Sequence, residues 1–344
     1  MNNLTNLTLQ EMEELVSQLG QPKFRAKQVF GWIYKGKTDF WEMTNLPEVF
    51  QTKLAETCYI EQLLPLQIQK SSTDGTRKYL FQLNDGNKIE SVFMQYKYGN
   101  SLCVSSQAGC RMGCRFCAST KEGLARNLTA GEMVGQLMAA EKDTGEKIGH
   151  IVIMGTGEPF DNYDQLSAFI GIVNDKNGLN IGMRNITVST CGLVPVIGQF
   201  AKDFPQVNLA ISLHGTTNSQ RSAMMPINNK YPLEILIPAC KAYTETTGRR
   251  ITFEYTLVNG VNDRDEDMER LCGLLKGMLC HVNLIPLNKV EGTGYDTVSR
   301  KRAEAFRIRL EKRGIPATVR RELGSDIDAA CGQLRLGKSQ AEGN

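Results

Sequence analysis

At 344 residues the chain exceeds one typical domain and suits one large domain plus a small one; with 41% apolar and 22% charged residues it can bury a sizeable core, as an ordinary soluble protein does. Its longest apolar runs, such as Ile151–Met154, are of strand length and exclude a bilayer span, and the opening MNNLTNLTLQEMEE lacks the basic-then-apolar order of a leader. The net charge of +3 excludes little, and the chain is expected to be cytoplasmic, with no membrane partner.

The N-terminal stretch reads as helical. Thr8-x-x-Glu11 is a capping box, Met12, Leu15, Val16 and Leu19 follow at helical spacing, and Gly20 supplies the stop. A second helix turns Ala26, Val29, Phe30 and Ile33 inward and Arg25, Lys27 and Lys35 outward, with Trp32, Phe40 and Trp41 expected as packing residues. Residues 1–62 thus form a small helical domain with a basic face. Residues 63–98 change character: TRKYLFQL, a turn at Asn84-Asp85-Gly86, then KIESVFMQY, a β-hairpin signal.

From residue 99 to 330 strands and helices alternate. The expected strands are Leu102–Ser105, Ile148–Met154, Asn185–Ser189, Val207–Leu213, Ile251–Leu257 and His281–Leu287. Amphipathic segments lie between them, including Gly131–Lys142, which Thr129 and Glu132 cap, Pro232–Thr247 and Asp265–Met278. Six strands joined through helices predict an α/β fold with a parallel sheet. In such folds chemistry gathers at the carboxyl ends of the strands, and the unusual polar motifs fall there. Cys103 and a cysteine loop follow the first strand and Gly155-Thr156-Gly157-Glu158-Pro159 the second. Ser189-Thr190-Cys191-Gly192 ends the third, Ser212-Leu213-His214 the fourth, and Asn288 closes the sixth.

Cys110, Cys114 and Cys117 have the spacing C-x3-C-x2-C on one short loop. Three thiolates bind three corners of a [4Fe–4S] cube and leave the fourth iron without a protein ligand, whereas an electron-transfer site closes that corner. An open iron can chelate the amine and carboxylate of S-adenosylmethionine (SAM), and an electron from the cluster can then release a 5′-deoxyadenosyl radical. Structural zinc favours four ligands, often in two pairs, and no partner pair follows here. Cys58, Cys240, Cys272 and Cys280 read as core cysteines among apolar helical residues, Cys191 as ambiguous beside the SAM motif, and His150 and His281 as structural. Of the eleven charged residues from Arg300 to Arg321 nine are basic, which reads equally as a phosphate-contact surface or a solvated helix face.

The strings LCVSSQAGCRMGCRFCAST, GTGEPFDNYDQ, ISLHGTTNSQR and GSDIDAACGQL closely resemble the RlmN/Cfr family of radical SAM RNA methyltransferases, over nearly the whole chain. That resemblance implies a partial (β/α)6 radical SAM barrel carrying the helical domain and the hairpin extension, with a tail, 331–344, that opens on a methyl-carrying cysteine. Cys331 matches that cysteine, Cys103 its partner and Glu90 the proton acceptor. Gly157, Glu158, Ser189, Ser212, Leu213, His214 and Asn288 match the SAM contacts. The implied reaction methylates an adenosine of 23S rRNA in the peptidyl-transferase region, and in some bacteria a tRNA adenosine beside the anticodon. The loop GTGEPFDN and the stretch STCGLVP look like the branch that modifies carbon 2 rather than carbon 8.

The chemistry the resemblance implies consumes two SAM per turnover. One methylates Cys331 by displacement; the other supplies the radical that takes hydrogen from that S-methyl group. The carbon radical adds to the base, a base removes the ring proton, and Cys103 attacks the Cys331 sulfur to leave a disulfide, which a reductant must then reset. An electron donor of flavodoxin or ferredoxin type and a monomeric enzyme are expected. A non-catalytic iron–sulfur RNA-binding module is the other class, and the second thiol motif DAACGQL argues against it.

Overall fold

The computed structural model describes residues 1–288, 294–329 and 332–334. The N-terminal helices are α1 (Leu9–Gln18), α2 (Phe24–Ile33) and α3 (Glu48–Thr57), and the short strands β1 (Asn2–Asn3) and β2 (Cys58–Tyr59) pair in parallel to close the segment. α1 starts where the capping box requires: the Thr8 hydroxyl accepts from the Glu11 amide at 3.3 Å, and the Thr8 amide donates to the Glu11 carboxylate at 2.8 Å. Phe40 is buried and Trp32 half-buried, with its indole N–H donating to Asn45 Oδ1 at 2.7 Å. Trp41 departs from the expected packing: it is 52% exposed.

Next come β3 (Pro65–Lys70), β4 (Arg77–Gln82), β5 (Lys88–Tyr96) and β6 (Gly99–Cys103), all antiparallel neighbours. β4 and β5 are the hairpin expected at Asn84–Gly86, where Gly86 takes a φ of +86°. Sequence periodicity showed the hairpin but not its attachment. Through β5–β6 pairing it continues the main sheet, and β3 adds a strand on its outer side. β7 (Gln107–Gly109) and β8 (Leu124–Asn127) form a separate two-stranded stem.

Helices and strands then alternate: α4 (Ala130–Thr144), β9 (His150–Ile153), α5 (Tyr163–Asn174), β10 (Ile186–Thr190), α6 (Val194–Asp203) and β11 (Asn208–Ser212). They continue with α7 (Asn218–Met224), α8 (Leu233–Thr247), β12 (Ile251–Leu257), α9 (Asp265–Leu275), β13 (Cys280–Pro286), α10 (Arg300–Lys312) and β14 (Ala317–Val319). The six expected strands correspond to β6, β9, β10, β11, β12 and β13, side by side in chain order and parallel. That order makes the partial α/β barrel. β14 is a seventh parallel strand in a stretch read only for its charge.

Buried Leu, Ile, Val and Phe form one apolar cluster from Leu4 through the sheet to Leu310, so the helical segment and the barrel share a core. Their junction needs a glycine: a Cβ on Gly131, in the first turn of α4, would sit 2.4 Å from Thr5 Oγ1. Without one, the Gly131 amide donates to Asn6 Oδ1 at 2.9 Å. Cys58 and Cys280 are buried as expected, but on strands rather than helices. Cys240 is buried in α8, and Cys272 is only half-buried in α9. Among the described residues no helix is long and apolar enough to cross a membrane.

Candidate active site

The stem of β7 and β8 presents the cysteine loop. Gly109 ends β7 at φ +77°, and a Cβ there would lie 2.0 Å from the Gly123 carbonyl, so only glycine lets the strands close. The Cys110 amide then donates to that carbonyl at 2.8 Å. Within the loop the Cys117 amide and the Thr120 hydroxyl both donate to the Cys114 carbonyl, each at 3.1 Å. The Arg115 amide donates to the Met224 carbonyl at 2.9 Å, tying the loop to the end of α7, and Arg111 pairs with Asp161 after the GTGEP turn.

Cys110, Cys114 and Cys117 line one cavity with Gly157, Glu158, Ser189, Ser212, His214 and Asn288. Burial pushes the Cys110 thiol up to about 12 and Cys114 well above its usual range, and neighbouring thiols raise both further. Thiols so placed become thiolates only against a strong local positive centre, as a metal cluster provides. Three thiols from one short loop lining a single cavity match the three protein-held corners of a [4Fe–4S] cube, whereas structural zinc favours four ligands.

The GTGEP turn is pressed onto the β6–β7 connection. A Cβ on Gly155 would lie 2.6 Å from Ser105 Oγ, and one on Gly157 (φ +111°) 2.6 Å from Gln107 Cβ. The amides of Thr156 and Glu158 donate to Ser105 Oγ and Gln107 Oε1, each at 2.8 Å. The Glu158 carboxylate is buried, which raises its pKa, and it accepts from the amides of Cys191 (2.7 Å) and Phe160 (3.0 Å), which act in the opposite sense. The side chains of Thr190 and Cys191 also hydrogen-bond to it, so the carboxylate is fixed from both β10 and the GTGEP turn.

His214 stands at φ +54°, a left-handed conformation that is rare outside glycine and marks built-in strain. Its Nδ1 accepts from the Thr256 amide at 2.9 Å, while burial, helped by the charge of Arg221, pushes its pKa down to about 3. The imidazole is therefore neutral, with its proton on Nε2 as a donor. Phe116 of the cysteine loop packs edge-on against it, centroids 4.9 Å apart. Leu213 differs from the other expected SAM contacts: its side chain is fully buried, and its carbonyl accepts from Arg221 Nε at 3.2 Å.

Cys103 ends β6, paired with Val92 of β5 and Val152 of β9. It lies in a buried patch with Val92, Met94, Leu323, Ala329 and Leu334. Glu90, two residues before Val92 on β5, shares that face of the sheet. It is 3% exposed, although a carboxylate on a hairpin strand is ordinarily solvated. Burial raises its pKa to about 7, opposed by Lys78, whose Nζ stands 3.7 Å from Oε1. Cys331 lies outside the described residues. On its two sides, Ala329 packs in the Cys103 patch, and the Gly332 carbonyl accepts from the Ala118 amide at 2.9 Å beside the cluster loop.

Several side chains at the site carry no distinguishing signal in the sequence. Glu254, Thr190 and Arg320 line the same cavity, and Arg221 is buried behind it. Glu254 and Thr190 looked like ordinary alternating strand positions, and Arg320 one more charge in a basic run. That run divides in the structure. Arg302 and Arg309 pair with Asp265, Arg307 with Glu304 and Glu311, and Arg313 with Glu269, whereas Arg300, Arg320 and Arg321 line a second cavity that shares Asn288 with the first.

Two family models match the chain: the ribosomal RNA large subunit methyltransferase N-terminal domain over residues 2–60 and the radical SAM superfamily over residues 104–272. A probable dual-specificity RNA methyltransferase RlmN from Clostridium perfringens (strain SM101 / Type A) is 53% identical, covering 100% of this chain and 99% of its own. Its counterpart from Alkaliphilus oremlandii is 54% identical, covering 97% of each. The crystal structure of a radical SAM methyltransferase from Sphaerobacter thermophilus superimposes with a TM-score of 0.92 at 46% identity, covering 97% of this chain and 99% of that one. With a cysteine loop, a SAM-type strand-end cavity and full-length identity of this order, the chain belongs to the RlmN family of radical SAM dual-specificity RNA methyltransferases.

Proposed function

We propose that the chain methylates carbon 2 of an adenosine in the peptidyl-transferase region of 23S rRNA, and also a tRNA adenosine next to the anticodon. The observation that carries this reading is one cavity lined by the three loop cysteines and the strand-end polar groups, next to a buried face that holds Cys103 and Glu90. Cys110, Cys114 and Cys117 would hold the [4Fe–4S] cluster, and Gly157, Glu158, Ser189, Ser212, Leu213, His214 and Asn288 the SAM. Together these cofactors supply an oxidant strong enough to take hydrogen from a methyl group.

The chain's own residues orient and protect that chemistry. Glu158, fixed by two amides, accepts from the SAM ammonium, and the neutral His214 offers its Nε2 proton. Glu90, poised near neutrality, takes the proton that leaves the adenine ring. The apolar patch around Cys103 keeps water from an exposed carbon radical and from the thiol that resolves the adduct. Cys331 carries the methyl group, supported by Ala329 and Gly332 packing at the two parts of the site. Two SAM are used per turnover, an electron donor of flavodoxin or ferredoxin type feeds the cluster, and the enzyme acts as a monomer. Residues 1–62 serve as the accessory RNA-binding domain, with Trp41 exposed for contact; 63–98 extend the sheet, 99–330 form the catalytic core, and 331–344 the methyl-carrying tail.

Mass spectrometry of 23S rRNA and tRNA from a deletion strain tests the assignment. A 2-methyladenosine present in the parent should disappear and return on complementation; a lost 8-methyladenosine, or no loss, would overturn carbon 2 as the target. For RNA binding, the divided basic run makes a specific prediction. Arg300→Ala and Arg321→Ala should each flatten the log–log salt dependence of RNA affinity by roughly 0.7–0.9 for each phosphate left unneutralised. Arg307→Ala, whose guanidinium already faces two carboxylates, should leave the slope unchanged. Filter binding across a salt series measures both, and equal slopes for all three variants would refute a phosphate role for the second cavity.

A further inference from the structure

Arg221 lies in α7, seven residues beyond His214, and its side chain is completely buried. A guanidinium stays charged in a protein, and burying it is costly unless an opposite charge is near. Its donors go to neutral acceptors. Nε donates to the Leu213 carbonyl (3.2 Å), and Nη2 to the carbonyls of Cys191 (2.6 Å) and Ser212 (3.3 Å). Nη1 donates to Asn228 Oδ1 (3.0 Å) and the Tyr231 carbonyl (3.5 Å). Among the described residues no carboxylate pairs with it; the thiols of Cys191, Cys114 and Cys240 lie within its electrostatic reach, as does the neutral His214.

The loops are built around this side chain. Cys191 follows β10, and Ser212 and Leu213 end and follow β11, so one guanidinium fork joins two walls of the cavity. A Cβ on Gly192, at φ +101°, would lie 2.9 Å from Leu236 Cδ1 and 3.4 Å from Nη2, and one on Gly215 2.8 Å from the Arg221 backbone amide. Hydrogen bonds to carbonyls satisfy its donors but do not neutralise its charge. A fold that hangs such a cation on two residues of the cavity wall, Cys191 and Ser212, within reach of Cys114 has a use for it.

We propose that Arg221 is the counter-charge of the iron–sulfur cluster: a fixed buried cation that balances the negative charge of the cube and its thiolates and so makes the cluster easier to reduce. This rests on Cys110, Cys114 and Cys117 being the cluster ligands. A cube held by three thiolates is a net anion, and each added electron is opposed by that charge; a cation placed behind it favours the reduced state. One unit charge roughly 10 Å from a redox centre, at an effective dielectric near 20, shifts the equilibrium by about tenfold. Arg221 is thus a positioning residue, acting through the cluster and the loop ends without touching substrate.

The test uses full-length protein reconstituted anaerobically with iron and sulfide, titrated against a poised potential and read by EPR. Wild type, Arg221→Lys, Arg221→Gln and Arg221→Met should each bind about four irons per chain, and Cys114→Ala should not. At a fixed poise the ratio of reduced to oxidised cluster should fall about tenfold in the Gln and Met variants, equivalent to about 59 mV for one electron. The Lys variant, which keeps the charge, should stay near wild type. If the Gln variant does not fold, the Met variant carries the comparison, since an apolar side chain of similar volume is often tolerated where an ion was buried. Neutral variants titrating with wild type, or a Lys variant shifted as far as Met, would overturn the proposal. A wild-type chain that takes up no cluster, or a Cys114→Ala variant that keeps a full one, would instead remove the ligand assignment beneath it.

Discussion

Cys103→Ala is expected to trap the enzyme covalently on its RNA, whereas Cys331→Ala forms no adduct and no methyladenosine. The two thiols have different parts in the proposed reaction. Cys331 must accept a methyl group first, so without it nothing can be transferred. Cys103 enters only at the end, when its sulfur attacks that of Cys331: the S–CH2 bond breaks, its electron pair takes up a proton to complete the methyl group, and the disulfide left behind is reset by an external thiol reductant. Its surroundings suit that late step, because it ends β6 in an apolar patch with Ala329, two residues before Cys331. Alanine in its place loses one sulfur from a β-strand end, too small a change to unfold a core of this extent. The carbon radical can therefore still add to the base, and the tethered species accumulates. A denaturing gel of each variant from cells, then nuclease digestion and peptide mass spectrometry, should find a nucleotide on the peptide containing Cys331. Normal turnover by Cys103→Ala, or an adduct on another cysteine, would show that the roles are wrongly assigned even with the radical chemistry intact.

Local signals carried much of the architecture. Thr8 with Glu11 and Thr129 with Glu132 began their helices as written, because a capping box is settled within four residues. The six parallel strands were legible from β-branched runs, and the polar motifs at their ends from position alone. What sequence could not show depends on distant partners. β14 is three residues whose strand character comes from pairing with β13. The hairpin was visible, but its fusion to the sheet rests on β5 meeting β6. Arg307 and Arg321 look alike in a charge count, and only the fold puts two glutamates against the first and a cavity beside the second. The burial of Arg221 and of Glu90 was hidden for the same reason: nothing within a few residues says that a charged side chain will be buried.

The buried Glu90 makes the most quantitative claim. Its pKa of about 7 against a reference of 4.5 means that the folded chain binds the proton more tightly than the unfolded one. The contribution of Glu90 to stability is therefore greatest below 4.5 and falls as pH rises toward 7, then levels off. At 1.36 kcal/mol per pKa unit the full change is about 3 kcal/mol. Glu90→Gln keeps the shape without the charge, so its stability should match wild type in acid and exceed it by up to about 3 kcal/mol at pH 8. Activity moves the other way. A general base contributes about 10²- to 10⁴-fold, and its loss should slow single-turnover methylation by that factor at pH 8, the deficit shrinking below pH 7 where wild-type Glu90 is itself protonated. In wild type the rate should rise tenfold per pH unit and level near pH 7, as the carboxylate becomes free to accept the ring proton. Lys78→Met removes the cation that holds the carboxylate down, and should move that inflection to higher pH without removing it. Denaturant unfolding and single-turnover rates across pH 5–8 give both profiles. A Glu90→Gln variant that is stabilised as expected yet methylates at the wild-type rate would leave Glu90 a buried acid with no part in proton removal.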